Sequence, residues 1–188
     1  DVSGKGIPAA LFMVIGKTLI KDHTKPDISL GAVFSEVNDL LCDANSEGLF
    51  ITAFEGVLDL VTGEFHFVNA GHEIPFIARE GEDYEPYRIK PGFVLAGMEN
   101  MKYQAGSIQL APGDKIFQYT DGVTEAMNGK EELYGMERLG SVLRMNTAKK
   151  PEELLAAVKA DVDVFAGGAP QFDDITMLCV EYVKRMEK

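Results

Sequence analysis

The order in which apolar patterns follow one another constrains this chain most. Two helical patterns come first, strand patterns follow, then two more helices and a last strand. Ile7 to about Lys21 reads as a helix, with Pro8 suited to its first turn. Its side chains are apolar almost all round, which predicts a largely buried helix. Ser29–Asn45 reads as a second helix, with Ser29 as N-cap and Val33, Val37, Leu40, Leu41 and Ala44 on one stripe. Leu49–Leu60 and Glu64–Asn69 read as strands joined at "VTGEF", where Gly63 signals a hairpin. Ile74–Arg79 extends the sheet, and "REGEDYEP" reads as a polar loop. Ser107–Leu110 alternates, "APGD" turns, and Lys115–Thr120 forms a strand. Glu131–Met145 and Pro151–Phe165 read as helices, "AGGAPQ" as a loop, and Thr176–Val183 as the closing strand. This order disfavours a regular βαβ alternation and favours a layered α+β fold. Several strands are apolar on both faces, so they need cover on both sides, from helices and a second sheet.

The length of 188 residues suits a single domain with a sizeable core. A net charge of −12 argues against a nucleic-acid partner, which requires clustered Lys and Arg. No apolar run approaches the roughly 20 residues of a membrane span, so no membrane insertion is expected from this segment. Cys42 and Cys179 lie far apart in apolar contexts without a CxxC partner. They read as buried free thiols in a reducing cytoplasm rather than zinc ligands.

Three acidic positions sit at element boundaries beside small or turn-forming residues. Asp1 opens "DVSGKGIPAALFM", Asp121 follows a strand in "YTDG", and Asp173 and Asp174 precede the last strand in "FDDIT". Carboxylates converging from distant parts of a chain suit a hard divalent cation. Histidine and cysteine are scarce near them, which favours magnesium or manganese over zinc. Each acid also has a plain reading: Asp before Gly is a common turn residue, and Asp pairs cap solvated turns. Asp121 is therefore open to three roles, as metal ligand, base or turn cap. His72 in "NAGHEIP" reads as a loop-ordering hydrogen bonder or an acid, and Asn69 as a loop-ordering residue. Lys5 and Lys17 are either phosphate contacts or solvated side chains. Ser3 and Thr120 have no visible base partner and do not read as nucleophiles.

The blocks "DVSGKGIPAALFM", "FITAFEGVLDLVTGEFHFVNAGHEIPFI", "LAPGDKIFQYTDGVTEAMN" and "FDDITMLCVEY", in this order, resemble the bacterial SpoIIE-like branch of the PPM metal-dependent serine/threonine phosphatases. The resemblance runs from Asp1 to about Tyr182. It implies a four-layer αββα sandwich of two antiparallel sheets flanked by helices, and a binuclear manganese or magnesium centre. Asp1 matches the bridging aspartate, the Val2 carbonyl matches a ligand of one metal, and Asp121 and Asp173 match ligands of the other. Asp174, His72 and Asn69 are supporting residues. A metal-bridging water would be the nucleophile, with no catalytic side chain needed.

The implied substrate is a phosphoserine or phosphothreonine on a cytoplasmic regulatory protein such as an anti-sigma-factor antagonist. An upstream sensor domain and a homodimer are further expectations. The family carries another acidic ligand on a strand before the "DVSG" block. The expectation is therefore that residues 1–188 are one phosphatase domain lacking its N-terminal part, from a longer protein. The helix pair after Asp1 is either core cover or a gate that moves that carboxylate. The rival readings are a non-catalytic phosphatase-like binding module and a small-molecule phosphoesterase.

Overall fold

The structure, a computed structural model, describes residues 1–171 and 173–183; Phe172 of the "FDDIT" block lies outside the described residues. In chain order its elements are α1 (Ile7–His23), α2 (Leu30–Asp43), β1 (Ala53–Leu58), β2 (Glu64–Ala70), β3 (Phe76–Ala78), β4 (Glu85–Pro86), β5 (Ala105–Gln109), β6 (Lys115–Tyr119), α3 (Gly135–Met145), α4 (Pro151–Ala166) and β7 (Met177–Glu181). They form two compact units. The first comprises Asp1–His72 and Lys90–Gln109; the second comprises Glu73–Ile89 and the chain from Leu110 onward. Each unit is an antiparallel sheet carrying a pair of helices, which is the α+β class expected.

In the first unit the sheet order is β1-β2-β5, with Ala53 opposite Ala70 and Phe67 opposite Gly106. Alternation along β2 sends Val68 and Ala70 to the helix side, where they join Val33, Phe34, Val37 and Leu41 of α2 in one core. These four α2 side chains are fully buried, contributing roughly 1.5–3 kcal/mol each. Ser29 caps α2 as its sequence predicts, its Oγ accepting from the Ala32 amide at 3.3 Å. On the other face of the sheet Phe54, Phe65 and Phe67 stack. Glycine makes room for them: a Cβ at Gly56 would strike the Phe65 ring, and one at Gly106 the Phe67 ring.

The second unit has the sheet order β4-β3-β6-β7. Phe76, Phe117, Tyr119 and Cys179 face Leu139, Val142 and Leu143 of α3 and Leu154, Val158 and Val162 of α4. Asp114, 1% exposed, closes the turn before β6. Its carboxylate accepts from Arg79 Nη1 at 2.6 Å and from the amides of Ala111 and Glu80, both at 2.9 Å.

Five expectations need correction. The first helix is not buried all round: only Ala9, Phe12 and Gly16 are buried, while Ile7 is 76% and Leu11 60% exposed. Within its unit α1 packs through the Gly16 side, where an added Cβ would press on Ile51, and this one-sided contact leaves its outer face open. The strand expected over Leu49–Leu60 is regular only from Ala53. Ile51, ahead of it, instead bridges Val2 on one side and Leu95 on the other.

The helix expected from Glu131 begins at Gly135. Asn128 Oδ1 gathers the amides of Lys130 and Glu132 into a tight turn, and Glu131 sits at φ 62° in the left-handed region. The polar "REGEDYEP" segment holds a short strand, β4, whose Glu85 and Pro86 pair with Ile77 and Phe76. Both cysteines are free thiols as expected, but Cys42 is only half-buried.

Candidate metal centre

Antiparallel pairing of β6 with β7 sets Tyr119 opposite Met177. The residues just past β6 therefore meet those just before β7. Gly122 lets them meet: an added Cβ would collide with the Asp174 carbonyl oxygen. Thr120 ties the two segments together. Its amide donates to the Thr176 carbonyl at 3.0 Å, its hydroxyl donates to the Asp174 carbonyl at 3.1 Å, and its Oγ1 accepts from the Thr176 amide at 3.0 Å. Asp121 and the Asp173–Asp174 pair are thus brought together by backbone geometry. Asp121 opens a turn whose carbonyl accepts from the Glu125 amide at 2.7 Å and the Thr124 hydroxyl at 3.2 Å. Asp173 Oδ1 accepts from the Asp174 amide at 2.8 Å.

The other expected residues lie in the first unit. The Asp1 nitrogen donates to the Thr52 carbonyl at 2.7 Å, the Thr52 amide returns a bond to the Asp1 carbonyl at 2.8 Å, and the Ser3 amide donates to Phe50 at 2.9 Å. These bonds flank the Val2–Ile51 bridge, so Val2 is a non-hydrogen-bonded pair member and its carbonyl turns away from Ile51. Thr52 Oγ1 shares a 2.8 Å hydrogen bond with His72 Nδ1. Asn69, 5% exposed, holds the His72 backbone, accepting from its amide at 2.8 Å and donating to its carbonyl at 2.9 Å. Asp1, Val2, Asn69 and His72 are therefore linked through Thr52. Ser3 Oγ accepts from the Phe50 amide at 2.8 Å, and Thr120 Oγ1 is engaged with residues 174 and 176. Both hydroxyls have structural work. Lys5 and Lys17 are exposed.

Two residues were missed by sequence reasoning. Thr52 lay inside a strand pattern with nothing to mark its hydroxyl. Glu73 followed the "NAGH" block and drew no attention. Burial lifts its carboxyl above the usual carboxylate range, and the neighbouring Asp121 and Glu125 charges lift it further, against a Tyr119 hydroxyl that favours the charged form. Among the described residues no three His, Cys, Asp or Glu side chains close around a single point.

This chain resembles known proteins over nearly its whole length. The family model described as Stage II sporulation protein E (SpoIIE) matches residues 1–183, and the chain belongs to that family. Protein IcfG of Synechocystis is 30% identical over 96% of this chain and 32% of its own length. The phosphoserine phosphatase RsbU of Bacillus subtilis is 31% identical over 74% of this chain and 42% of its own length. The chain thus spans about a third to two fifths of these curated relatives. Among solved structures, the SiaA-PP2C domain of Pseudomonas aeruginosa has a TM-score of 0.82 at 21% identity, covering 97% of this chain and 73% of that one. The catalytic domain of the serine/threonine phosphatase PstP, described in complex with two manganese ions, has a TM-score of 0.62 at 16% identity. That match covers 97% of this chain and 86% of the other. These two likenesses are of fold.

Proposed function

We propose that residues 1–188 form the phosphatase domain of a metal-dependent phosphoserine/phosphothreonine protein phosphatase. The observation that carries it is the meeting of Asp121 with Asp173–Asp174 at the β6–β7 strand ends, across a glycine that admits no side chain. The family model runs through both compact units without a break, which supports reading them as one family domain.

The cofactor of this reading is two divalent cations, manganese or magnesium. Each unit offers hard oxygen ligands of the kind they take: the Asp121 and Asp173 carboxylates in the second, the Asp1 carboxylate and the Val2 carbonyl in the first. Asp174 braces Asp173 through the amide bond described above. Held there, such cations would offset charge at a phosphoryl group and make a water more acidic. The chain's own work is positional. The β6–β7 register fixes Asp121 and Asp173, the Thr52 pairing fixes Asp1 and Val2, and Asn69 and Thr52 set the His72 loop. No side chain takes the role of covalent nucleophile in this reading.

The substrate proposed is a phosphorylated cytoplasmic regulatory protein of the anti-sigma-factor-antagonist type, as the family resemblance implies; the likeness to RsbU, a phosphoserine phosphatase, supports the phosphoserine part of this reading. Among the described residues no helix is long and apolar enough to cross a membrane. A homodimer and an upstream sensor domain stay part of this reading, to be checked by the mass of the native protein in solution and by its length.

The test is hydrolysis of a phosphoserine peptide by the native protein with manganese, with magnesium and with chelator, alongside Asp121→Asn. Metal-dependent turnover that falls at least a hundredfold in the variant is the expected result. Full activity of Asp121→Asn, or turnover indifferent to chelator, overturns the assignment.

A further inference from the structure

We propose that Thr52 is a positioning residue for phosphoester hydrolysis: its hydroxyl holds the His72 ring in one orientation and one tautomer, with Nε2–H offered to the phosphoryl oxygens of the substrate. The inference rests on the phosphatase reading above. Its ground is the way the first unit divides the work of Thr52. This residue lies between Ile51, which bridges Val2 and Leu95, and Ala53, the first residue of β1. Its main chain is spent on Asp1, giving and taking one hydrogen bond. Its hydroxyl is left for His72 Nδ1, at 2.8 Å. A glycine brings the chain back to that point. Gly71 takes φ 70° and bridges Ala53, and an added Cβ there would strike Val94. Asn69 then fixes the His72 main chain at both amide and carbonyl. Backbone and ring of His72 are thus gripped by different residues, the backbone by Asn69 and the ring by Thr52.

The direction of the Thr52–His72 bond decides the chemistry. A neutral imidazole carries one ring proton, and the nitrogen that bears it is set by the bond the other nitrogen makes. The Thr52 hydroxyl has one proton, and its hydrogen-bond partner among the described residues is His72 Nδ1. Donation to Nδ1 uses that proton and puts the ring proton on Nε2. The reverse direction leaves the hydroxyl proton without a protein acceptor, at a residue that is half-buried. The ring therefore carries a donor at Nε2, the polarity that an anionic phosphoryl oxygen accepts. Threonine suits the task because a β-branched side chain is stiff at χ1, so the backbone beside β1 aims the hydroxyl. Without that hydroxyl the ring can turn over and exchange its proton between nitrogens, and an unprotonated Nε2 repels an anion.

The experiment compares the native protein with Thr52→Val, which loses the hydroxyl and keeps the shape, and Thr52→Ser, which keeps the hydroxyl. Both retain the main-chain bonds to Asp1. Ring 15N shifts of His72 and the kinetics of phosphoserine-peptide hydrolysis are measured with magnesium at about pH 8, where an ordinary histidine is neutral. The chain has three histidines, so His23 and His66 serve as internal controls. The expected wild-type ring is protonated at Nε2. In Thr52→Val its shifts move toward an exchanging mixture, and kcat falls roughly tenfold with KM nearly unchanged. Thr52→Ser should restore both the shifts and most of kcat. A wild-type ring protonated at Nδ1, or a Thr52→Val kcat within about threefold of wild type, overturns the inference. So does a Thr52→Ser protein as slow as Thr52→Val, or a fall in kcat with the ring shifts unmoved, since either makes Thr52 a packing residue. Those four outcomes leave the phosphatase reading standing, whereas a wild type without turnover overturns that reading and the inference together.

Discussion

The Thr24 hydroxyl lies 2.7 Å from Glu55 Oε1, joining the end of α1 to β1. The same hydroxyl lies 2.8 Å from the Ile20 carbonyl, and a hydroxyl has one proton to give. Burial raises the Glu55 carboxyl above its ordinary range, against the Thr24 bond, and Glu55 Oε2 is buried without a partner. Burial thus favours the neutral form of Glu55 over the carboxylate. A raised folded-state pKa means that this contribution is complete below the unfolded value of about 4.3 and is lost as pH rises through the folded value. Glu55→Gln should therefore melt at or above wild type at pH 8, and Thr24→Val should lose about 1 kcal/mol at pH 4. Thermal unfolding across pH 4–8 checks both.

Asp114 should respond to pH in the opposite sense. Burial pushes its carboxyl up, but the Ala111 amide, Arg79 and the Glu80 amide overcome burial and hold it below the ordinary range. Its stabilisation is full above the unfolded value of about 3.9 and disappears as pH falls through the lower folded value. Asp114→Ala leaves three donors without their acceptor and should cost about 3 kcal/mol at pH 7. Urea unfolding at pH 7 and pH 3 should show that cost shrinking in acid.

Gly122→Ala tests the strand-end geometry directly. The methyl group must displace the Asp174 carbonyl, a backbone atom that cannot swing aside. A loss of about 1–3 kcal/mol is expected, together with weakened Mn2+ binding. Normal binding would show that Asp173 and Asp174 hold no metal.

Arg138 offers a test remote from those acids. Its guanidinium lies 4.9 Å from the Phe165 ring centroid and 5.4 Å from that of Tyr134. It also donates to both Asp161 oxygens, at 2.8 and 3.1 Å. A planar fork stacked on rings is not replaced by an ammonium. Arg138→Lys should lose nearly as much as Arg138→Ala, about 1 kcal/mol, in thermal unfolding.

How far these features were legible depends on their range along the chain. The Gly63 turn exposed β2, apolar strand content exposed β6 and β7, and Ser29 announced α2, because those signals are local. The start of α3 was misjudged because Glu131 is a good helix former set in a left-handed turn, which Asn128 closes. The apolar α1 looked buried because composition records hydrophobicity and not which neighbours arrive. Asp121 and Asp173 stood out through Gly122 and the strand beside them. Glu73 and Thr52 did not, since their partners lie 46 and 20 residues away in sequence.

The path of the chain through its two units has a consequence for synthesis. The last strand of unit one ends at Gln109, so its core can close before that of unit two. β3 and β4 also leave the ribosome ahead of β6, the strand that flanks β3. For that interval a nascent chain carries a short apolar hairpin with an open edge, the kind of surface that attracts chaperones or a neighbouring chain. A translational pause after the hairpin has left the ribosome and before β6 follows it would lengthen that exposure, and rapid elongation would shorten it.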